Sequence, residues 1–517
     1  MDLVIRGGTI LDGTGAPPRV ADVAVKDGRI AAIGNLRANG AEIDATGLTV
    51  APGFIDIHSH SDYTLLVDPR AVSAIAQGVT LEVIGNCGFG CAPIADPRMA
   101  APNIYGFDNQ VPLAWHGVGE YLDRLAAARP AVNVIKLVPN GQLRRATLGV
   151  ADRAATPPEL EKMKSLLSQG LDEGAFGYST GLEYPAERGA PDEELVELCK
   201  VVAKRGGLYA SHTRRRDDGA VSAIDEAIRV GEKAGAQIQI SHLLPRKTDE
   251  AEGERSLELI DKARGRGLDI AFDMHTRLYG TTFLNTIIPL WAQDDPARHL
   301  RSADSRRRMR EYKSIVAGGG WERVVLLDHP KFPQYSRQSF GDLARREGRD
   351  AYDIAFDILL ADLDQPNRAM VIMHVYTPDQ QALMFSHPLC MPGSDATTLA
   401  PDGPLANSVF HGAYTWASWY FHFMVQERKV MAPAQAVQRL TQMPARRLGL
   451  SDRGQIAEGY RADVAVFDAG KFQATATTFE PNQLARGMRH VVVNGVHTLR
   501  DGSLTGSRGG QVIRRTH

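Results

Sequence analysis

At 517 residues the chain is about three times the ~150 that serve as a prior for one domain, so a small peptide-like module is excluded. Its 59 Lys and Arg against 61 Asp and Glu give a formal charge of −2, and no global field is left to hold a phosphate backbone or an anionic membrane. With 43% hydrophobic residues and no apolar run near the ~18 of a membrane span, neither nucleic acid nor membrane is an expected partner.

Along the chain, residues 1–52 read as short strands punctuated by turns, among them Leu3-Val4-Ile5, Thr9-Ile10-Leu11, Val23-Ala24-Val25 and Arg29 to Ile33. The N-terminus lacks a basic region followed by an apolar core, so export is not expected. A second cluster of strands lies in 453–517, at Ala462 to Phe467 and His490 to Val493. Two-stranded hairpins are marginal alone, so the two ends are expected to form one small β domain.

Between them, 53–452 alternates apolar strands with amphipathic helices. Ala131 to Val138 reads as a strand, and a helix starts at Thr156-Pro157-Pro158-Glu159 with prolines in its first turn. Gly174 to Ser179 precedes a helix near 191–205, Gly207 to Ala210 one near 219–234, and Ala236 to Ile240 one near 254–265. Units about 30 residues long predict a parallel sheet, with a (β/α)8 barrel as the first choice and a doubly wound sheet as the second. The charged stretch 292–350 carries a weak strand signal and reads as an insertion or lid.

The chemistry-bearing residues fall at strand ends. In Gly53-Phe54-Ile55-Asp56-Ile57-His58-Ser59-His60, alternation sends His58 and His60 to one face, where two imidazoles can hold a divalent metal. Such a pair also occurs in cores and on surfaces. The dipeptides Ser211-His212 and Ser241-His242, thirty residues apart, end two successive strands and reach the rim where such barrels keep their active sites. Cys87 ends another strand, as a buried thiol or a thiolate ligand; Cys91 reads as structural. Asp395, after Met391-Pro392-Gly393-Ser394, is either an N-cap or a carboxylate that orients water beside a metal and moves its proton. The four cysteines are too few and scattered for a disulfide framework, which suggests a reducing, cytoplasmic setting.

These motifs, with Thr441-x-x-Pro444-Ala445 and Gly459-Tyr460-Arg461-Ala462-Asp463, resemble the amidohydrolase superfamily across nearly the whole chain. Within it, Gly85-Asn86-Cys87-Gly88 and Gly174 to Pro185 resemble the N-acyl-D-amino-acid deacylases, also called D-aminoacylases, which use a cysteine where many superfamily members have a carboxylated lysine. The resemblance implies a zinc held tightly by Cys87, His212 and His242, with His58, His60 and Asp395 bordering a second, weaker or vacant position. It also implies that a metal-bound hydroxide attacks the amide carbonyl and that Asp395 passes the proton to the departing amine. Tyr184 matches a tyrosine that polarises the carbonyl or holds substrate. Arg214 is a candidate to face substrate, and a solvent role is open for Arg215 and Arg216.

The chain departs from that pattern where a carboxylate clamp is expected. Leu244 stands where the resemblance implies a lysine, and an aromatic block from Phe410 to Phe421 contains no arginine. A bulkier, more aromatic or less anionic amide is therefore expected, while Arg246, Lys247 and Arg277 in nearby loops are cations that could compensate and leave a carboxylated substrate open. The expected partner is a small amide, and a homo-oligomer is compatible with the sequence. Two alternatives are a cyclic-amide hydrolase or deaminase of the same superfamily and a non-catalytic scaffold, though the scaffold predicts lost ligands and all are present.

Overall fold

A computed structural model of the chain describes residues 1–37, 39–216, 219–243, 250–312, 314–317 and 320–516. Eight parallel strands form one sheet: β1 (Phe54–Asp56), β2 (Val79–Ile84), β3 (Asn133–Pro139), β4 (Gly177–Gly181), β5 (Leu208–His212), β6 (Gln237–Ile240), β7 (Ile270–His275) and β8 (Cys390–Gly393). Just beyond their ends, β8 and β1 meet. The Asp395 amide donates to the His58 carbonyl at 2.8 Å and the His60 amide to the Ala396 carbonyl at 2.9 Å, so the sheet closes into the expected barrel. Ile55, Leu81, Val83, Ile135, Leu137, Leu208, Ala210, Ala271 and Met391 form one apolar cluster drawn from strands all around it. Only the barrel interior can join them, and these alternate positions therefore define the inward face.

The helices follow their strands as the periodicity predicts. Pro157–Asp172 starts with two prolines and a Glu159 carboxylate that accepts the Thr156 amide at 2.8 Å, satisfying a first-turn donor. Asp192–Ala203, Ala220–Ala234 and Glu250–Gly265 flank the strands that carry the Ser-His dipeptides. Strand β7 was not among the expected elements, and it brings Asp273 and His275 to the rim.

Between β7 and β8 the chain leaves the barrel and builds a three-stranded antiparallel sheet from Tyr279–Phe283, Val324–Leu326 and Met370–His374. The charged stretch 292–350 lies within this excursion. A further nine-stranded sheet combines five strands from residues 3–52 with four from 464–504, joined where Thr49–Pro52 pairs antiparallel with Val464–Phe467. The C-terminal segment reaches back to the barrel, with Val134 donating to the Gln511 carbonyl and accepting from the Ile513 amide. No helix among the described residues is long and apolar enough to cross a membrane.

Asp56 and Glu82 lie opposite each other across β1 and β2, both buried. Burial, reinforced by Asp56, pushes the Glu82 carboxyl up to about 8, and burial raises Asp56 to about 6. The folded state therefore holds protons that the unfolded chain releases near pH 4.5. Glu82 favours folding below that pH, and the benefit is lost as pH rises through about 8. Glu82→Gln is expected to gain melting temperature relative to the unsubstituted protein between pH 6 and pH 9. Parallel melting curves at all pH values would contradict the assignment.

Candidate metal centre

The inward-facing positions continue past the strand ends into the site. Leu208 and Ala210 lead in steps of two to His212, Ala271 to Asp273 and His275, Met391 and Gly393 to Asp395, and Val83 and Gly85 to Cys87. His58 and His60 arrive differently. Strand β1 stops at Asp56, whose Oδ1 accepts the His58 amide at 3.1 Å in a turn that swings the chain inward. Both imidazoles thus converge, but by this turn rather than by strand alternation.

Ligand atoms of His58, Cys87, His242 and Asp395 all lie within 4.8 Å of one another. Cys87 Sγ is 3.1 Å from His58 Nε2 and 3.4 Å from His242 Nε2. Asp395 Oδ1 is 3.2 Å from His60 Nε2 and 3.5 Å from His58 Nε2. Cys87, His242 and Asp395 take positive φ values of +52°, +36° and +45°. Each costs about 1–3 kcal/mol in a residue other than glycine, a strain that clusters at functional sites. Gly181 lets the Cys87 loop approach β4, because a Cβ there would stand 2.0 Å from the Cys87 carbonyl oxygen.

A buried carboxylate organises this group. Asp273 Oδ1 accepts from His58 Nδ1 at 2.9 Å and from the His242 amide at 2.9 Å, while its Oδ2 accepts from Gln239 at 2.9 Å. A proton is thereby held on Nδ1, and Nε2 is the nitrogen that His58 turns to the cluster. Burial alone would raise the Cys87 thiol, but His58, His242 and His212 outweigh it and hold it well below the usual thiol range. Burial likewise opposes ionisation of Asp395, yet its bond to His60 and the neighbouring Arg277 and His58 hold it well below the usual carboxylate range. His242 is pushed down to about 4 by burial and by Arg216, which suits a neutral imidazole ligand.

His212 lies against the cluster but outside the four-atom group. Its Nε2 is 3.0 Å from Glu183 Oε2, its Nδ1 has no partner, and its ring centroid is 4.5 Å from that of His242. Tyr184 packs its ring 4.8 Å from His212 and 4.7 Å from Phe89. Of the arginines that follow His212, it is Arg216 rather than Arg214 that turns toward the centre. Arg214 is held by the Glu226 carboxylate and the Arg188 and Ala190 carbonyls, a structural clamp at the edge of the helix. Arg216 instead is buried beside the centre, donating to the His242 carbonyl at 2.9 Å and the Tyr376 hydroxyl at 2.6 Å. Leu244, Arg246 and Lys247 lie outside the described residues. Of the aromatic block, Phe410 faces the site wall through Tyr105, whereas Trp416, Tyr420 and Phe421 fill the core.

Sequence reasoning missed Asp273, Glu183 and Tyr105, and it treated Arg277 only as a neighbouring cation. Tyr105 comes from the long connection after β2 and packs against His60, Phe89, Phe283 and Phe410, at the centre of an aromatic wall. Arg277 donates to Asp395 Oδ2 at 2.9 Å and to the Ser394 and His411 carbonyls.

Compared with known proteins, the chain matches the amidohydrolase family over residues 41–498. It is 32% identical to a D-aminoacylase of Alcaligenes xylosoxydans xylosoxydans, an alignment covering 100% of this chain and 98% of that protein. It superposes with a TM-score of 0.85 and 30% identity on a D-aminoacylase studied for its binuclear metal centre, with one-metal activation and second-metal attenuation; 99% of this chain and 100% of that one are covered. An N-acyl-D-glutamate deacylase from Bordetella bronchiseptica, complexed with zinc and a phosphonate mimic of the tetrahedral intermediate, gives a TM-score of 0.83 at 32% identity over the whole of both chains.

Arg277 is one of the charges that keep Asp395 ionised. Arg277→Met should raise the carboxyl pKa, so activity that needs the carboxylate is lost at higher pH on the acid side. The acid limb of the kcat/KM profile is expected to move upward. An unmoved limb would separate Arg277 from proton transfer.

Proposed function

The chain belongs to the amidohydrolase family, and from that premise we propose that it hydrolyses the C–N amide bond of N-acyl-D-amino acids or closely related N-acyl amides, with zinc at the cluster around Cys87. The observation that carries this reading is the donor set: one depressed thiol, convergent imidazoles and a carboxylate, gathered at the C-terminal rim of a parallel barrel.

The residues present fit a zinc site. Nδ1 of His60, His212 and His242 are buried without a hydrogen-bond partner, an arrangement that costs about 1–3 kcal/mol per polar group when left uncompensated. Cys87 has His58 on one side and His242 on the other, and is the natural shared ligand. With it, His212 and His242 would complete one position, and His58, His60 and Asp395 a second. Bound zinc supplies Lewis acidity, polarising an amide carbonyl and lowering the pKa of water.

The chain's own residues supply the rest. Asp395, fixed on Oδ2 by Arg277 and with Oδ1 beside His60, is placed to accept a proton from the attacking water and return it to the departing nitrogen. Burial raises the phenols of Tyr184 and Tyr105, which are hydrogen-bonded to each other, so both stay protonated and Tyr184 can donate toward a substrate oxygen. The aromatic wall of Phe89, Tyr105 and Phe410 excludes water from that face. A cytoplasmic setting belongs to this reading, in keeping with four free, buried cysteines.

Cys87→Ala is expected to lose bound zinc and hydrolysis together. Full zinc occupancy with unchanged turnover would refute the shared-ligand role. A screen of N-acyl-D-amino acids, their L forms and the matching carboxamides tests the substrate class. Because Leu244 stands where the resemblance implies a clamping lysine, the preference for free acid over carboxamide is expected to stay below roughly 10³ in kcat/KM, about 4 kcal/mol; a larger ratio would show an intact carboxylate clamp.

A further inference from the structure

A second cavity, of about 180 Å³, adjoins the metal centre and is lined by Phe89, Tyr184, Phe283, Ile288, Leu300 and Arg145. Phe89 and Tyr184 belong to both places, since their rings also pack against those of His60 and His212. At the ~30 Å³ that a water occupies in the liquid, the cavity has room for on the order of six small groups, enough for one short arm of a substrate.

Arg145 is the anomaly in this lining. It lies on the helix Asn140–Leu148, which begins at the end of β3, and is only 9% exposed. Its neighbour Arg144 shows what a buried arginine ordinarily obtains here: the Glu194 carboxylate together with the Ala186 and Arg153 carbonyls. Arg145 has neutral acceptors alone, the Met99 carbonyl at 3.1 Å and Gln293 Oε1 at a long 3.3 Å, and its Nε has none. Among the described residues no carboxylate lies within ion-pair distance of it. Burial pulls its pKa down to about 10. The nearest opposing charge is Glu187, which acts on it only from beyond contact and is itself bonded to the Gly181 amide and Asn140. A guanidinium in a largely apolar lining with no carboxylate in contact is costly for the fold, and a planar carboxylate brought in by a ligand would satisfy its free donors.

We propose that this cavity receives one arm of the amide substrate and that Arg145 binds a carboxylate carried at the end of that arm. The inference rests on the deacylase reading above and names its substrate class: an N-acyl amino acid with a terminal carboxylate besides the α-carboxylate. Two sources share that chemistry, a dicarboxylic acyl group and an acidic amino-acid side chain.

Two matched pairs separate the sources: N-succinyl-D-alanine against N-butanoyl-D-alanine, and N-acetyl-D-glutamate against N-acetyl-D-glutamine. In the zinc-loaded protein one pair is expected to favour its charged member by about tenfold to a hundredfold in kcat/KM, the range for charge-assisted hydrogen bonds. That ratio should fall below about threefold in Arg145→Gln and survive in part in Arg145→Lys. Calorimetric binding of glutarate, weighed against butanoate, gives a readout without turnover: the unsubstituted protein should prefer glutarate and Arg145→Gln should not. This second result stands even if no amide in the screen is hydrolysed, so failure of the deacylase reading is distinguishable. Arg145→Leu removes a buried charge that no carboxylate contacts and should melt no lower than the unsubstituted protein. No charged preference in either pair, a preference unchanged in Arg145→Gln, or a large loss of melting temperature in Arg145→Leu with selectivity intact would each overturn the proposal.

Discussion

Everything at the centre depends on the seam where the first and last barrel strands meet. Two backbone hydrogen bonds, from Asp395 to His58 and from His60 to Ala396, join positions more than 300 residues apart in the chain. Without them the barrel is an open sheet, and the carboxylate has no fixed relation to the histidines. With them, Asp395 is placed by the same contact that closes the fold, so stability and chemistry share one set of bonds. The turn made by Asp56 belongs to this seam as well, since its Oδ1 accepts both the His58 and the Ser394 amides.

Around the seam, charge is balanced in concentric layers. Cys87 and Asp395 are acidic groups kept ionised by imidazoles and Arg277, while His58 is held by Asp273 on its far side. In a low-dielectric interior each of these groups would be expensive alone, and together they compensate one another. The buried partners therefore tune the ligands as much as orient them. Asp273 does both, because one oxygen sets the His58 tautomer and also fixes the backbone of His242.

Much of this was legible in the sequence, and the omissions have physical causes. Strand ends are marked by a periodic apolar run that stops at a polar residue, which is why Cys87, His212, His242 and Asp395 could be picked out. The same signal exists for Asp273 and His275 in Ile270-Ala271-Phe272-Asp273-Met274-His275, but no Ser-His dipeptide draws attention to it. Glu183 and Tyr105 sit in connections, where no periodicity constrains side-chain direction. For Arg214 and Arg216, spacing from His212 could not tell which would meet Glu226 and which would turn inward, because the chain between them is irregular. The reading of Leu244 rests on a departure from a resemblance, a kind of information that lies in comparison rather than in physics.

The nine-stranded sheet imposes an order of events on synthesis. Thr49–Pro52 pairs with Val464–Phe467, about 400 residues downstream, and the tail at 511–513 must still reach Val134. At the ~5–20 residues per second of translation, the early strand emerges roughly 20–80 s before its neighbour exists. For that interval its edge is an unpaired template of β-branched and apolar residues, open to any other nascent strand. Completion of this sheet therefore waits for the last strands to be made, and until then the early edge must be kept apart from other chains.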